Sequence, residues 1–414
     1  MKHAIQQGSL LDMPALERNE VKPSQPVSEK KMSRLEDLIA ELCPNGVEYR
    51  KLEEVCGFVT GFSFKSSLFR ESGTPICKTT NITDGYISFE GMDCFDISDY
   101  KEKLDKFIIR KNDIVIGMSG TIKVGISNND NICYLNQRVG KFIPNLEVLN
   151  NKFLYYFLCN TIKTIYETVA GGSVINLSNS DIKELSIPVP PLPIQEEIVR
   201  ILDKFAELTA ELTAELTKRK QQYQYYRDEL FKNSISSKSY KLMDLCGTIT
   251  TGRLNANAMV ENGKYPFFTC DANPYKIDTY AFDTTAILIS GNGSQIGHLN
   301  FYSGKFNAYQ RTYVLYDFFK VSPRYLFLYL KSYVREYILK YAKKGSVPYI
   351  TLPMLQNFLV PVPPLEEQER IVAILDRFDA LCNDLTSGLP AEIEARKKQY
   401  EYYRDKLLTF KEAV

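Results

Sequence analysis

The chain has 414 residues, of which 44% are hydrophobic, enough to bury cores in two or three domains. It contains no run of 18 or more apolar residues and no leader of charged, apolar and small residues, which speaks against a membrane span or secretion and predicts a cytoplasmic protein. A net charge of +1 excludes a uniformly basic nucleic-acid binder, while basic faces masked by acidic, partner-binding helices stay open.

Residues 1–32, with Pro14, Pro23 and Pro26 among polar and charged residues, read as a flexible extension. A short capped helix, 33–48, follows from near Ser33. The first body, 49–190, mixes β-rich runs such as DIVIGMSG, bounded by Gly, Asn and Ser, with NKFLYYFLCNTIKTIYET, which has helical length and period. Over 191–235 a Pro-rich, turn-like entry leads into a long helix. Its Ile198, Ile201, Phe205, Leu208, Leu212 and Leu216 step by three and four, the seam of a coiled coil. Within it, AELTAELTAELT from Ala206 to Thr217 is a tetrapeptide repeat of strong helix formers. The second body, 236–363, again combines β runs such as AILISGNGS with a helical stretch, PRYLFLYLKSYVREYIL. A last helical span, 364–414, carries Ile371, Ile374, Phe378, Leu381 and Leu385 before SGLP at Ser387 to Pro390, where a kink or restart is expected.

The two halves repeat each other. IPVPPLPIQEEIVRILDKF from Ile187 returns as VPVPPLEEQERIVAILDRF from Val360, with Pro188 at Pro361, Gln195 at Gln368 and Phe205 at Phe378, a constant offset of 173. KQQYQYYRDEL from Lys220 returns as KKQYEYYRDKL from Lys397, now offset by 177. Weaker echoes keep the same order: YRKLEEVCG and SYKLMDLCG, NQRV and YQRT, GGSV and KGSV. The predicted fold class is therefore α+β, with two pseudo-symmetric α/β bodies joined by two long helices that form an antiparallel coiled coil. Two separate amphipathic helices, each covering its own body, are the alternative.

Motifs for chemistry are sparse. Nine cysteines lie scattered without a C-x-x-C pair, and His3 and His298 complete no zinc site with them, so no metal is expected and the cysteines read as buried thiols. ANPYK at Ala272 to Lys276 lacks the second proline of an adenine-methyltransferase clamp and reads as a turn. GNGSQIG at Gly291 to Gly297 has the wrong spacing for a dinucleotide loop, and no P-loop sequence occurs. His298 has no recognisable nucleophile partner and reads as a strand residue.

The order of variable body, helical span, variable body and helical span resembles the specificity subunits of type I restriction-modification systems. The resemblance rests on the two PVPPL…ILD-x-F segments, the TAEL units at Thr209 to Leu216 and EIEARKKQYEYYRDKLL, and it runs from about Met32 onward. The TAEL units point to the branch whose spacer carries short repeats. The resemblance implies a non-catalytic subunit that reads a bipartite site in double-stranded DNA and sets the half-site spacing. It also implies two modification subunits that bind S-adenosylmethionine and methylate adenine, and two restriction subunits that use ATP and Mg, leaving no cofactor in this chain. A self-sufficient methyltransferase or nuclease, or a coiled-coil scaffold with protein-binding heads, are the competing classes.

Polar and basic loop residues are then the candidate DNA contacts, since Arg, Lys, Asn and Gln carry most major-groove discrimination. In the first body these are Lys65, Lys78, Thr79, Asn81, Lys123, Gln137 and Arg138. In the second they are Arg253, Asn255, Asn273, Asn292, Gln295, Gln310, Arg311, Lys343 and Lys344. Solvated surface or turn chemistry is the competing explanation for many of them. Gln137-Arg138 and Gln310-Arg311 occupy corresponding places, which suits a shared task such as phosphate positioning or body packing rather than base reading. On the helical spans Tyr223, Tyr226, Arg227, Tyr400, Tyr403 and Arg404 are expected to dock the modification subunits.

Overall fold

In the computed structural model, residues 29–413 are described apart from 84, 169–174, 235–236 and 342–348. The first helix, Glu29–Leu42, begins ahead of the expected cap at Ser33 and buries Leu35 against the first body. Each body then opens with a short strand that pairs antiparallel with the strand closing it. Tyr49, Arg50 and Lys51 lie opposite Pro188, Ile187 and Ser186, and Ser239, Tyr240 and Lys241 lie opposite Pro361, Val360 and Leu359. Ile187-Pro188 and Val360-Pro361, the start of each repeated Pro-rich segment, are therefore strand residues that close their bodies. Proline is tolerated there because the clasp has only two strands.

Between the clasps the β-rich runs build the sheets. The first body holds a five-stranded sheet in the order Cys56–Thr60, Val139–Pro144, Ile114–Gly117, Val124–Ile126, Gly85–Tyr86. Beside it lies a four-stranded sheet in the order Cys94–Phe95, Thr74–Cys77, Cys133–Leu135, Ile108–Ile109. The continuous apolar run Ile114–Gly117 is buried at every residue, as expected for a strand covered on both faces. The second body holds one six-stranded sheet, ordered Cys246–Thr251, Thr312–Phe318, Phe282–Ser290, Leu299–Ala308, Tyr265–Phe268, Tyr275–Ile277. A long helix follows the strands in both bodies, Asn151–Thr168 and Pro323–Tyr341.

Two polar clamps, repeated in the two halves, fix each body to its helical span. Gln195 and Gln368 are wholly buried. The Gln195 oxygen accepts from the Asn150 N–H at 2.7 Å, and its amide nitrogen donates to the carbonyls of Val148 and Pro190. Gln368 repeats the pattern with the Ser322 N–H at 2.7 Å and the carbonyls of Lys320 and Pro363. Asp203 accepts from Lys152 at 2.6 Å and from the Tyr156 hydroxyl at 2.7 Å, while its counterpart Asp376 takes both forks of Arg324 at 2.7 and 3.0 Å.

The chain forms two compact units, Met1–Ala210 with Ala395–Val414, and Glu211–Glu394, so both helical spans are divided between them. The first span is one helix, Leu192–Ser234. The second is two, Leu365–Asn383 and Leu389–Leu407. The break comes where the Asp384 carboxylate accepts from the N–H of Thr386 at 2.7 Å and of Ser387 at 3.3 Å, which ends the helix. Leu385, expected in the seam, falls in this turn and is 79% exposed. The turn also absorbs the four residues by which the second copy exceeds the first.

In the first unit, Phe205 stacks on Tyr403 with ring centroids 5.3 Å apart. In the second unit the corresponding pair, Phe378 and Tyr226, meets at 5.8 Å. There Cys382 lies beside Arg219 and Lys220, and Tyr223 beside Asp379, so the helices run antiparallel. Each unit thus pairs the front half of one repeat copy with the back half of the other. The first unit is completed by a bridge between Val47 and Glu412 and by the Tyr49 hydroxyl donating to the Phe410 carbonyl at 3.1 Å. Among the described residues no helix is long and apolar enough to cross a membrane.

Candidate nucleic-acid interface

At one end of each body the loops between strands converge on a tight turn. In the first body the Val139 N–H donates to the Asn136 carbonyl at 2.8 Å, leaving Gln137 and Arg138 exposed at the two central positions of a β-turn. In the second, Thr312 donates to Tyr309 at 2.8 Å and presents Gln310 and Arg311 in the same way. Neighbouring loops are tied to this turn by matching backbone bonds. Asn136 donates to the Cys77 carbonyl, as Tyr309 does to Phe268. Met118 donates to Arg138 at 2.9 Å, as Gly291 does to Arg311 at 2.8 Å. Leu177 in turn donates to Met118, as Ile350 does to Gly291.

A glycine crosses beneath each turn. A Cβ on Gly61 would lie 2.1 Å from the Asn136 oxygen, and one on Gly252 would lie 1.8 Å from the Ala308 oxygen. Neither distance admits a side chain, so glycine is required by close approach of two backbones.

The candidate contacts sit unequally on this framework. Lys65 is exposed, and its N–H donates to the Tyr100 hydroxyl at 3.0 Å. Lys78 is half-buried, ion-paired with Asp93 and 4.4 Å above the Phe69 ring. Asn81 is buried, and its oxygen accepts from the Lys78 N–H at 2.9 Å to close a single helical turn. Thr79 lies against Gly117, and Lys123 is half-buried. In the second body Arg253, Asn255, Asn273, Gln295, Gln310 and Arg311 are exposed and Asn292 is half-buried. Gln310 there donates to Asn255 at 2.7 Å. Lys343 and Lys344 lie outside the described residues. His298, expected in a strand, precedes one, and its Nε2 lies 3.2 Å from the Ala272 carbonyl, joining two of these loops. Among the described residues no carboxylate pairs with Arg138, Arg253 or Arg311.

On the helical spans the residues expected to dock partners are largely occupied within their own units. Tyr403 and Tyr226 pack on Phe205 and Phe378, and Tyr223 lies 6.2 Å from the Phe378 ring. Burial pushes the Tyr400 hydroxyl up to about 12. Arg404 is buried against Tyr400 and pairs with Asp405 at 2.8 Å, and Arg227 pairs likewise with Asp228 at 2.8 Å. The tyrosines beside them are the exposed ones: Tyr225 at 63% and Tyr402 at 62%. They too correspond at the offset of 177, a signal present in QYYRD and EYYRD that residue type alone does not rank.

Residues 44–219 and 235–395, one stretch over each body, match the family described as the type I restriction modification DNA specificity domain. The chain belongs to this family. A putative type I restriction enzyme specificity subunit of Haemophilus influenzae is 31% identical over 396 residues, covering 88% of this chain and 96% of that protein. The EcoR124I/EcoR124II specificity subunit of Escherichia coli is 36% identical over 291 residues, covering 63% and 70%. In fold, the chain is similar to a structure from a study of complex assembly and conformational transition in the type I restriction-modification system, with a TM-score of 0.57, 20% identity and coverage of 88% and 98%. This specificity subunit is a DNA sequence-recognition protein, and the converging loops carry Arg138, Arg253 and Arg311, which among the described residues have no carboxylate partner.

Proposed function

We propose that this specificity subunit is a non-catalytic adapter that reads a bipartite site in double-stranded DNA, one half-site per body, and holds the half-sites at a set spacing through its helical spans. The observation that carries this is the pair of loop clusters, held by matching backbone hydrogen bonds around the central turn and unlike in most side chains. A shared scaffold with divergent surface is what two readers of different sequences require. Adenine methylation with S-adenosylmethionine belongs in this reading to two modification subunits, and translocation with ATP and Mg to two restriction subunits. Exchange of residues 49–187 for the matching part of a relative should change one half of the methylated motif, as read by sequencing modified adenines. A change in both halves would sink independent recognition.

The modification subunits are proposed to dock on the two QYYRD/EYYRD helices, with Tyr225 and Tyr402 as the exposed anchors beside the expected residues Tyr223, Tyr226, Arg227, Tyr400, Tyr403 and Arg404. Aromatic anchors at interfaces typically contribute about 2 kcal/mol or more. The double variant Tyr225→Ala, Tyr402→Ala should lose co-purifying modification subunit while keeping its unfolding midpoint. Full retention of two copies would refute this placement. Tyr226→Ala and Tyr403→Ala would be poorer probes, because they cut into the packing on Phe378 and Phe205.

A further inference from the structure

We infer that Arg138 and Arg311 are sequence-neutral grips, each binding a phosphate of the duplex in its own half-site and reading no base. This rests on the proposal that the bodies bind DNA, and it assigns these two side chains a role distinct from their neighbours. Both stand at the second central position of the same β-turn. In each, the turn is closed by its own hydrogen bond, the arginine carbonyl is tied to the next loop at 2.9 or 2.8 Å, and a glycine without room for a Cβ crosses underneath. The backbone that carries the arginine is therefore fixed in the same way in both bodies.

Around this point the corresponding residues differ in kind. Half-buried Phe62 stands where the second body has the exposed Arg253, and the exposed Thr80 where it has the exposed Asp271. Positions that read different bases should differ, and these do. What two unlike half-sites share is the sugar-phosphate backbone, and the residue pair the bodies share is Gln-Arg. An exposed guanidinium with no carboxylate among the described residues presents a permanently charged planar fork suited to phosphate oxygens. A rigid mount at each end would set how the duplex docks before the variable loops meet base edges.

The test uses the specificity subunit reconstituted with its modification subunits and fluorescent duplexes, one bearing the methylated motif and one scrambled, titrated from roughly 50 to 200 mM salt. Arg138→Ala and Arg311→Ala should each weaken both duplexes by the same factor, about tenfold for one lost charged contact. Each should lower the slope of log affinity against log salt by about 0.9 and leave the methylated motif unaltered. Arg138→Lys and Arg311→Lys should restore the slope. Loss confined to the cognate duplex, with the motif relaxed at one base, would make these residues base readers and overturn the inference. Unchanged affinity and slope on both duplexes would equally overturn it. A parent complex that does not distinguish its cognate duplex from the scrambled one would instead overturn the DNA-reading proposal, and the inference with it.

Discussion

Gln195 and Gln368 are wholly buried amides, and each satisfies one N–H and two carbonyls of turns that no sheet or helix serves. Replacement by leucine keeps the volume and orphans all three groups. At 1–3 kcal/mol for a buried group left unpaired, and with three such groups, Gln195→Leu should cost at least about 3 kcal/mol, or roughly 6–12 °C or more in unfolding midpoint. The exposed Gln221→Leu should stay within about 0.5 kcal/mol, and equal effects of the two in thermal unfolding would defeat the clamp. Cys56 and Cys246, at corresponding places, have their thiols pushed up to about 12 by burial from an ordinary 9.0. The folded state holds these protons more tightly than the unfolded chain, so their contribution is complete below pH 9 and is lost as pH rises toward 12. An alkylating reagent at pH 8 should spare both until the chain unfolds, and prompt labelling of either, mapped by mass spectrometry, would contradict their burial. Their burial agrees with the expectation from scattered cysteines, whereas the glutamine clamps pass unremarked in the repeat because two of the three partners of each lie more than forty residues away.

Helical period is a local property, and the spans were legible for that reason. Ile198, Ile201 and Phe205 are buried as their spacing predicts, and so are Leu202 and Leu375, which widen the stripe beyond a strict seam. Toward the middle of the long helix the stripe is only half covered, at Leu208, Leu212 and Leu216. The antiparallel pairing of the two spans was expected from the repeat, but which side chains turn into it was not legible, because the 3.6-residue period alone does not say which way the tyrosines outside the stripe face. That is why Tyr226 and Tyr403 read as surface anchors although they pack inward. The half-covered TAEL units suit a spacer that tolerates changes of length. Removing Thr209 to Leu212 shortens the helix by about 6 Å and turns it roughly 40° beyond a full turn, leaving the stripe nearly in phase. The methylated motif should keep both half-sites with a gap shorter by about one to two base pairs. A two-residue deletion turns the stripe by about 200° and should fail to fold. An unaltered gap in the four-residue deletion would remove the helix as a ruler.

Over the whole molecule the internal duplication was the most informative feature of the sequence, and it predicted two bodies and two spans. The strand order in each sheet was not predictable from it, because pairings such as Cys133–Leu135 beside Thr74–Cys77 depend on registers that short, Gly-bounded runs do not encode. The division of units was also hidden, since it cuts through helices with no break in composition. It has a testable outcome: removing residues 395–414 strips Tyr403, Leu407 and Leu408 from the first unit's core and should speed hydrogen exchange at Tyr49–Lys51 and around Phe205. The strand Phe282–Ser290 of the second unit should stay protected, and equal exchange throughout would show that the units do not open separately. The same discontinuity bears on synthesis. The first body leaves the ribosome early, yet the segment that covers Phe205 is translated only after the whole of Glu211–Glu394, a delay of roughly 10–40 s at ordinary elongation rates. Throughout that interval the nascent chain carries an open apolar stripe beside a finished sheet, and only the emergence of the segment from Ala395 onward covers it.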